Sequence, residues 1–291
     1  QLNAGFWGDE ECKALAALDF DTLECGPDGS FEIILSAAPH EGNWIKLDPA
    51  ARNVVIQVRE AWIDWENETG SEMHIECLDR SPDASIDLPE DEVANRIRKA
   101  ARFVDANIAF IFSSNAAVTA HGGYKSETFG LLSLVEPKDR TDQGGNPEAY
   151  YIDYVYDIQP GEALIIENEM PEAMYWSIQL STMFWQNLDH SYHQSSFNQL
   201  QAKPDADGKI RLVLSLEDPG VANWIDAQQP GMGMAQWRWY RTERCAIPTV
   251  RKVALADLRD ELPADTRMVT LAERDEALRR RTRSSLRRYG F

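Results

Sequence analysis

The chain has 291 residues, 43% of them hydrophobic, which is enough to bury a sizeable core without staples. Its net charge of −19 argues against a nucleic-acid surface over most of its length, and no apolar run reaches the length of a membrane span. Cys12, Cys25, Cys77 and Cys245 are scattered and form no C-x-x-C pair, so they read as small buried hydrophobes, not as a zinc cluster or a disulfide framework.

Residues 1–7 are polar and short and do not resemble a signal peptide. Residues 8–19 place acids ahead of Leu15 and Leu18, which predicts a short helix. Gly26-Pro27-Asp28-Gly29 is a turn, and Phe31, Ile33 and Leu35 alternate behind it as a strand. Val54, Ile56 and Val58 alternate in the same way, and a further short strand is expected at 74–78. Val93, Ile97, Ala100, Val104, Ile108 and Phe112 then form one apolar stripe at helical spacing, opened by Glu90, Asp91 and Glu92. Gly122-Gly123 stops that helix, and 139–147 is the most linker-like stretch.

From 150 onward strands dominate: 150–158, 163–169, 175–182, 210–214 and the segment around Trp237 and Trp239. Two helices separated by Pro263 close the chain at 256–262 and 266–289. Residues 279–288 carry six arginines (Arg279, Arg280, Arg281, Arg283, Arg287 and Arg288) and no acid. Such a tail is expected to fold back on its own acidic body, or onto a second copy as a homo-oligomer contact.

Part of the sequence is written twice. Residues 28–36 read DGSFEIILS and 207–215 read DGKIRLVLS; Asn43-Trp44-Ile45 recurs as Asn223-Trp224-Ile225, and Arg59 as Arg238. The three separations are 179, 180 and 179 residues. Each copy reads as a turn, a strand, a loop with Asn-Trp-Ile, and a second strand ending in Arg. The strands at 163–169 and 175–182 project back to before Gln1, which leads us to expect a strand pair upstream. The implied fold class is α+β and mainly β, built from two related β-sandwich or jelly-roll-like units with a repeat of about 179 residues. The expected divisions are a first, incomplete unit at 1–89, a connecting helix and loop at 90–145, a second sandwich at 146–253, and an Arg-rich helical tail at 254–291.

These residues also carry a family resemblance. GFWGDEE (5–11), GNWIKL (42–47), VREAWIDWENE (58–68), DPGVANWID (218–226) and WRW (237–239) resemble the bacterial family of paired domains of unknown function numbered 1254 and 1214. The likeness is densest at 175–239, the part similar to the 1214 domain. It implies a sandwich-rich architecture with flanking helices and a longer N-terminus, and it implies no catalytic residues. Ala222 stands where a proline often precedes Asn-Trp.

For chemistry, the densest polar cluster is 189–198. Asp189, His190 and His193 are the candidate acid–base residues, since imidazole titrates near neutrality and loops on a rigid scaffold favour function. Arg238 and Arg59 are candidate anion clamps at equivalent strand ends. Trp176, Tyr192, Trp224 and Asn198 are candidate ligand contacts. His190-x-x-His193 lacks the spacing of the metalloprotease helix, so no metal is expected. His121-Gly122-Gly123-Tyr124 weakly resembles an esterase oxyanion loop, but no G-x-S-x-G accompanies it. No P-loop or dinucleotide fingerprint occurs, so no cofactor is expected. The sequence points to a cofactor-independent hydrolase or lyase acting on a small organic or carbohydrate-like molecule. The alternative is a non-catalytic module binding a carbohydrate- or lipid-like ligand, or one serving assembly.

Overall fold

The structure is a computed structural model and describes residues 1–5, 12–51, 54–79, 87–120, 125, 127–129, 145–146, 148–243 and 245–290. Its first part holds β1 (Leu2–Ala4), β2 (Lys13–Ala16), β3 (Ile34–Ser36), β4 (Trp44–Lys46), β5 (Val54–Ile56) and the long helix α1 (Glu90–Ala120). Its second part holds β6 (Ala149–Ile158), β7 (Glu162–Glu169), β8 (Ala173–Ser181), β9 (Ser196–Asn198), β10 (Lys209–Ser215), β11 (Trp224–Asp226), β12 (Gly231–Thr242), β13 (Thr249–Ala254), α2 (Leu258–Glu261) and α3 (Leu271–Arg288). The fold is mainly β with flanking helices.

The second part is a sandwich of two four-stranded sheets, ordered β6-β12-β8-β9 and β11-β10-β7-β13. Alternation along each strand decides what enters the core. Ile152, Tyr154, Tyr156 and Ile158 of β6 meet Leu164 and Ile166 of β7, Trp176, Ile178 and Leu180 of β8, Ile210, Leu212 and Leu214 of β10, and Trp237 and Trp239 of β12 in one buried cluster. Gly161, at φ 80°, turns the corner that carries the chain from one sheet to the other. The β7 run Ala163-Leu164-Ile165-Ile166 is apolar throughout because its sheet is covered on both faces. Ala163, Ile165 and Val213 form a second cluster with Val221, Trp224, Leu258 and Leu262 on the far side.

The first part is thinner. Its strands make a three-stranded sheet, β2-β1-β5, and a parallel pair, β3-β4. The local match between the two written copies extends to single hydrogen bonds. Asn43 accepts from the Glu24 N–H and donates to the Glu24 and Glu32 carbonyls. Asn223 accepts from the Lys203 N–H and donates to the Lys203 and Arg211 carbonyls. Trp44 donates to the Ser36 carbonyl at 3.2 Å, and Trp224 to the Ser215 carbonyl at 3.3 Å. Ile34 pairs with Trp44 in parallel, as Val213 pairs with Trp224. The likeness is local and does not amount to a second complete sandwich among the described residues.

Several expectations are corrected. The described part of the expected helix at 8–19 contains strand β2, because Lys13, Ala14 and Ala16 pair with β1; residues 6–11 lie outside the described residues. Residues 74–78 are not a strand: Ile75 and Leu78 are about three-quarters exposed with no neighbouring strand to pair with. The end of the 189–198 loop is strand β9, antiparallel to β8. Arg238 lies inside β12, opposite Tyr151 and Ser177, and not at a strand end. The last helix begins at Leu271, where Thr270 and Glu273 form a reciprocal capping box. The expected linker at 139–147 falls mostly outside the described residues, and His121-Gly122-Gly123-Tyr124 falls entirely outside them. No helix among the described residues is long and apolar enough to cross a membrane.

Candidate functional site

The arginine tail determines how the candidate loop is held. Arg281, on α3, is buried and donates to the His190 carbonyl at 2.6 Å and to the Ser196 hydroxyl at 2.5 Å, while its guanidinium lies 4.6 Å from the Trp65 ring centre. Arg287 donates to the Trp65 and Glu68 carbonyls, and Arg288 stacks over Trp62. Arg280 approaches Glu66 at 3.6 Å. The tail thus packs on its own chain, and its charge is met by carbonyls and aromatic faces as well as by acids.

This packing separates the candidate residues. His190 Nε2 meets the Tyr289 hydroxyl at 3.0 Å, and its ring sits edge-on to Trp65. Desolvation and the nearby Arg281 charge lower its pKa below the ordinary imidazole value, favouring the neutral ring. Asp189 accepts from the Ser191 and Tyr192 N–H groups, closing the turn between β8 and β9. Asn198 is buried and donates to the Trp62 and Ile63 carbonyls, joining the first part of the chain to the second. Trp176 is fully buried, and Trp224 is nearly so beneath the Arg274 guanidinium. Arg238 is exposed on Gln236 and Tyr151. Arg59, also exposed, donates to Gln1 and Gln57. Tyr192 is exposed.

His193 alone keeps an arrangement suited to chemistry. Its Nδ1 lies 2.7 Å from Asp226 Oδ2, and its side chain is 46% exposed against 10% for Asp226. The second Asp226 oxygen accepts from the Gln228 N–H at 2.8 Å, which fixes the carboxylate. A carboxylate on Nδ1 selects the tautomer whose Nε2 is an acceptor. Its negative charge also adds to desolvation in raising the pKa of Tyr156 well above the ordinary phenol value.

The sequence reading paired His193 with Asp189 and missed Asp226. A signal existed: Asp226 follows Asn-Trp-Ile in the second copy, where the first copy has Lys46. A difference between otherwise matched copies marks what one of them does alone. Among the described residues no cluster of three or more His, Cys, Asp or Glu side chains is placed to hold a metal ion.

A β-sandwich with flanking helices and no recognised cofactor motif is the class these features define. Within it, residues 156–244 match the family described as Protein of unknown function (DUF1214). An uncharacterized protein from Burkholderia cenocepacia has a similar structure, with a TM-score of 0.75 and 27% identity over 88% of this chain and 69% of its own. The VPA0106 protein from Vibrio parahaemolyticus matches more distantly, with a TM-score of 0.31 and 19% identity over 38% of this chain and 32% of its own. No curated protein matches the chain.

Proposed function

We propose that the protein is a cofactor-independent hydrolase or lyase in which His193 is the general base and Asp226 orients it. What supports this reading is the 2.7 Å contact between a well-buried carboxylate and a half-exposed imidazole. Such a base takes a proton from water in hydrolysis or from a carbon acid in elimination, then returns it to the leaving group. Tyr192, exposed one residue away, is the proposed substrate contact. His190 and Asp189 serve the turn that presents His193.

The test is turnover of a panel of nitrophenyl esters and glycosides, and of β-elimination substrates, by wild type and variants. His193→Gln and Asp226→Asn should each lower the rate on any turned-over substrate by about 100-fold or more with an unchanged melting temperature. His190→Gln should lower the melting temperature and leave the rate per folded molecule close to wild type. Equal activity in wild type and His193→Gln would overturn the proposal.

A further inference from the structure

Two positions after Asp226 the backbone takes a conformation that the sequence does not ask for. Gln228 has φ 63°, in the left-handed region that residues with a Cβ rarely enter. A hydrogen bond of 2.7 Å from the Gln229 N–H to the Ala227 carbonyl closes a tight turn around it. Asp48 follows Trp44 by four positions, as Gln228 follows Trp224, and does not adopt this conformation. Backbone strain of this kind persists where surrounding bonds over-determine it, so those bonds indicate its use.

Gln228 is bonded through both its backbone and its side chain. The backbone N–H donates to Asp226 Oδ1 at 2.8 Å, and the side-chain amide donates to the Asp189 carbonyl at 2.7 Å. Asp189 opens the loop that carries His193, and His193 Nδ1 lies 2.7 Å from the other Asp226 oxygen. On the far side of His193, the Gln194 carbonyl accepts from the Asp226 N–H at 2.9 Å. The loop is therefore tied to the end of β11 both before and after the histidine. The Ser195 hydroxyl also donates to the Asp189 carbonyl, at 3.0 Å, but Ser195 belongs to the loop and does not relate it to Asp226. Only the Gln228 side chain, among these bonds, links the start of the loop to the turn that holds the carboxylate. Because φ sets the direction of a side chain relative to its own N–H, keeping both partners fixes φ.

We propose that Gln228 is the positioning residue of the His193–Asp226 pair, holding the carboxylate with its N–H and the histidine loop with its amide. The inference rests on the reading of His193 as the general base. The left-handed backbone is what lets one residue make both bonds. With the loop and the carboxylate fixed to the same residue, the imidazole stays on Asp226 in the Nδ1–H tautomer. A displacement of about 1 Å in such a pair is enough to lower a rate by about 100-fold.

The test reads the imidazole directly, by NMR of protein labelled with ¹⁵N at histidine, at alkaline pH where the ring is neutral. His193→Gln assigns the signals, and wild type should show the Nδ1–H tautomer. Gln228→Met, close in size but without the donor, should shift His193 to a mixture dominated by the Nε2–H form. It should also lower the rate on any substrate turned over in the nitrophenyl and elimination panel at least about tenfold. Gln228→Gly removes the side chain and relieves the backbone, so it decides the matter if Gln228→Met does not fold. It should show the same loss of tautomer and rate with a melting temperature no lower than wild type. Retention of the wild-type tautomer in Gln228→Gly would overturn the proposal, as would a lower melting temperature in Gln228→Met with the tautomer unchanged. A lost tautomer with an unchanged rate would support the role of Gln228 in holding the pair and overturn the reading of His193 as the base.

Discussion

The two Asn-Trp-Ile motifs share their hydrogen bonds but not their surroundings. Asn43 and Trp44 hold a parallel pair of strands near solvent, whereas Asn223 and Trp224 are both buried within a four-stranded sheet. Charge differs as well. Position 32 is Glu in the first motif, and the matching position 211 is Arg in the second. Arg211 reaches Asp205, Asp207 and Glu167 at 2.7 Å each and ties β10 to β7. The comparison teaches that one local bonding pattern can be kept while the energy resting on it changes with burial.

Removing the charge that distinguishes the motifs should have the largest effect. Arg211→Met leaves the buried Asp205 carboxylate without its cation and should cost about 3–5 kcal/mol by urea denaturation. Glu32→Ala, at the matching position, should change stability by less than about 0.5 kcal/mol. If the two costs were equal, burial would not be the distinguishing factor.

The shared asparagines come next. Asn223→Ala leaves one N–H and two carbonyls unsatisfied in a buried place and should cost about 2–3 kcal/mol. Asn43→Ala exposes its matching groups to water and should cost about 1 kcal/mol or less. Denaturation midpoints of the two variants and the double variant check both values.

The smallest effect concerns the turns that open the motifs. Asp28 and Asp207 each accept from the backbone N–H two residues on. Both have lowered pKa values; Asp207 reaches about 2, chiefly through its hydrogen bond to Arg211, and Asp28 is lowered chiefly by Ser30. A carboxyl with a depressed folded-state pKa adds stability above its unfolded value of 3.8 and loses it as pH falls toward 2. Melting temperature followed from pH 4 to pH 2 should therefore fall less steeply in Asp207→Asn than in wild type, with a weaker change in Asp28→Asn.

The sandwich was legible because its strands alternate strongly: β6, β8, β10 and β12 all place large apolar residues on one face. The helix expected at 8–19 failed because pairing with Leu2–Ala4 outweighed the weak preference of Lys13–Ala16. The strand expected at 74–78 had alternation but no neighbour, and pairing is what stabilises a strand. The candidate site was half legible. His193 stood out by residue type, but its partner Asp226 lies 33 positions away in sequence, on strand β11.

The contact between α3 and Trp62 and Trp65 also sets an order of events during synthesis. Trp65 leaves the ribosome with no arginine to cover it, because its partners Arg281, Arg287 and Arg288 come much later in the chain, Arg287 by 222 residues. At about 5–20 residues per second, the interval between Trp65 and Arg288 is roughly 10–45 seconds. During that time the nascent chain presents two uncovered indoles to the cytosol's chaperones or to the translocation machinery. The arginine cover over 62–68 can form only once α3 has been made, whereas the Asn198 bonds to the Trp62 and Ile63 carbonyls can form earlier.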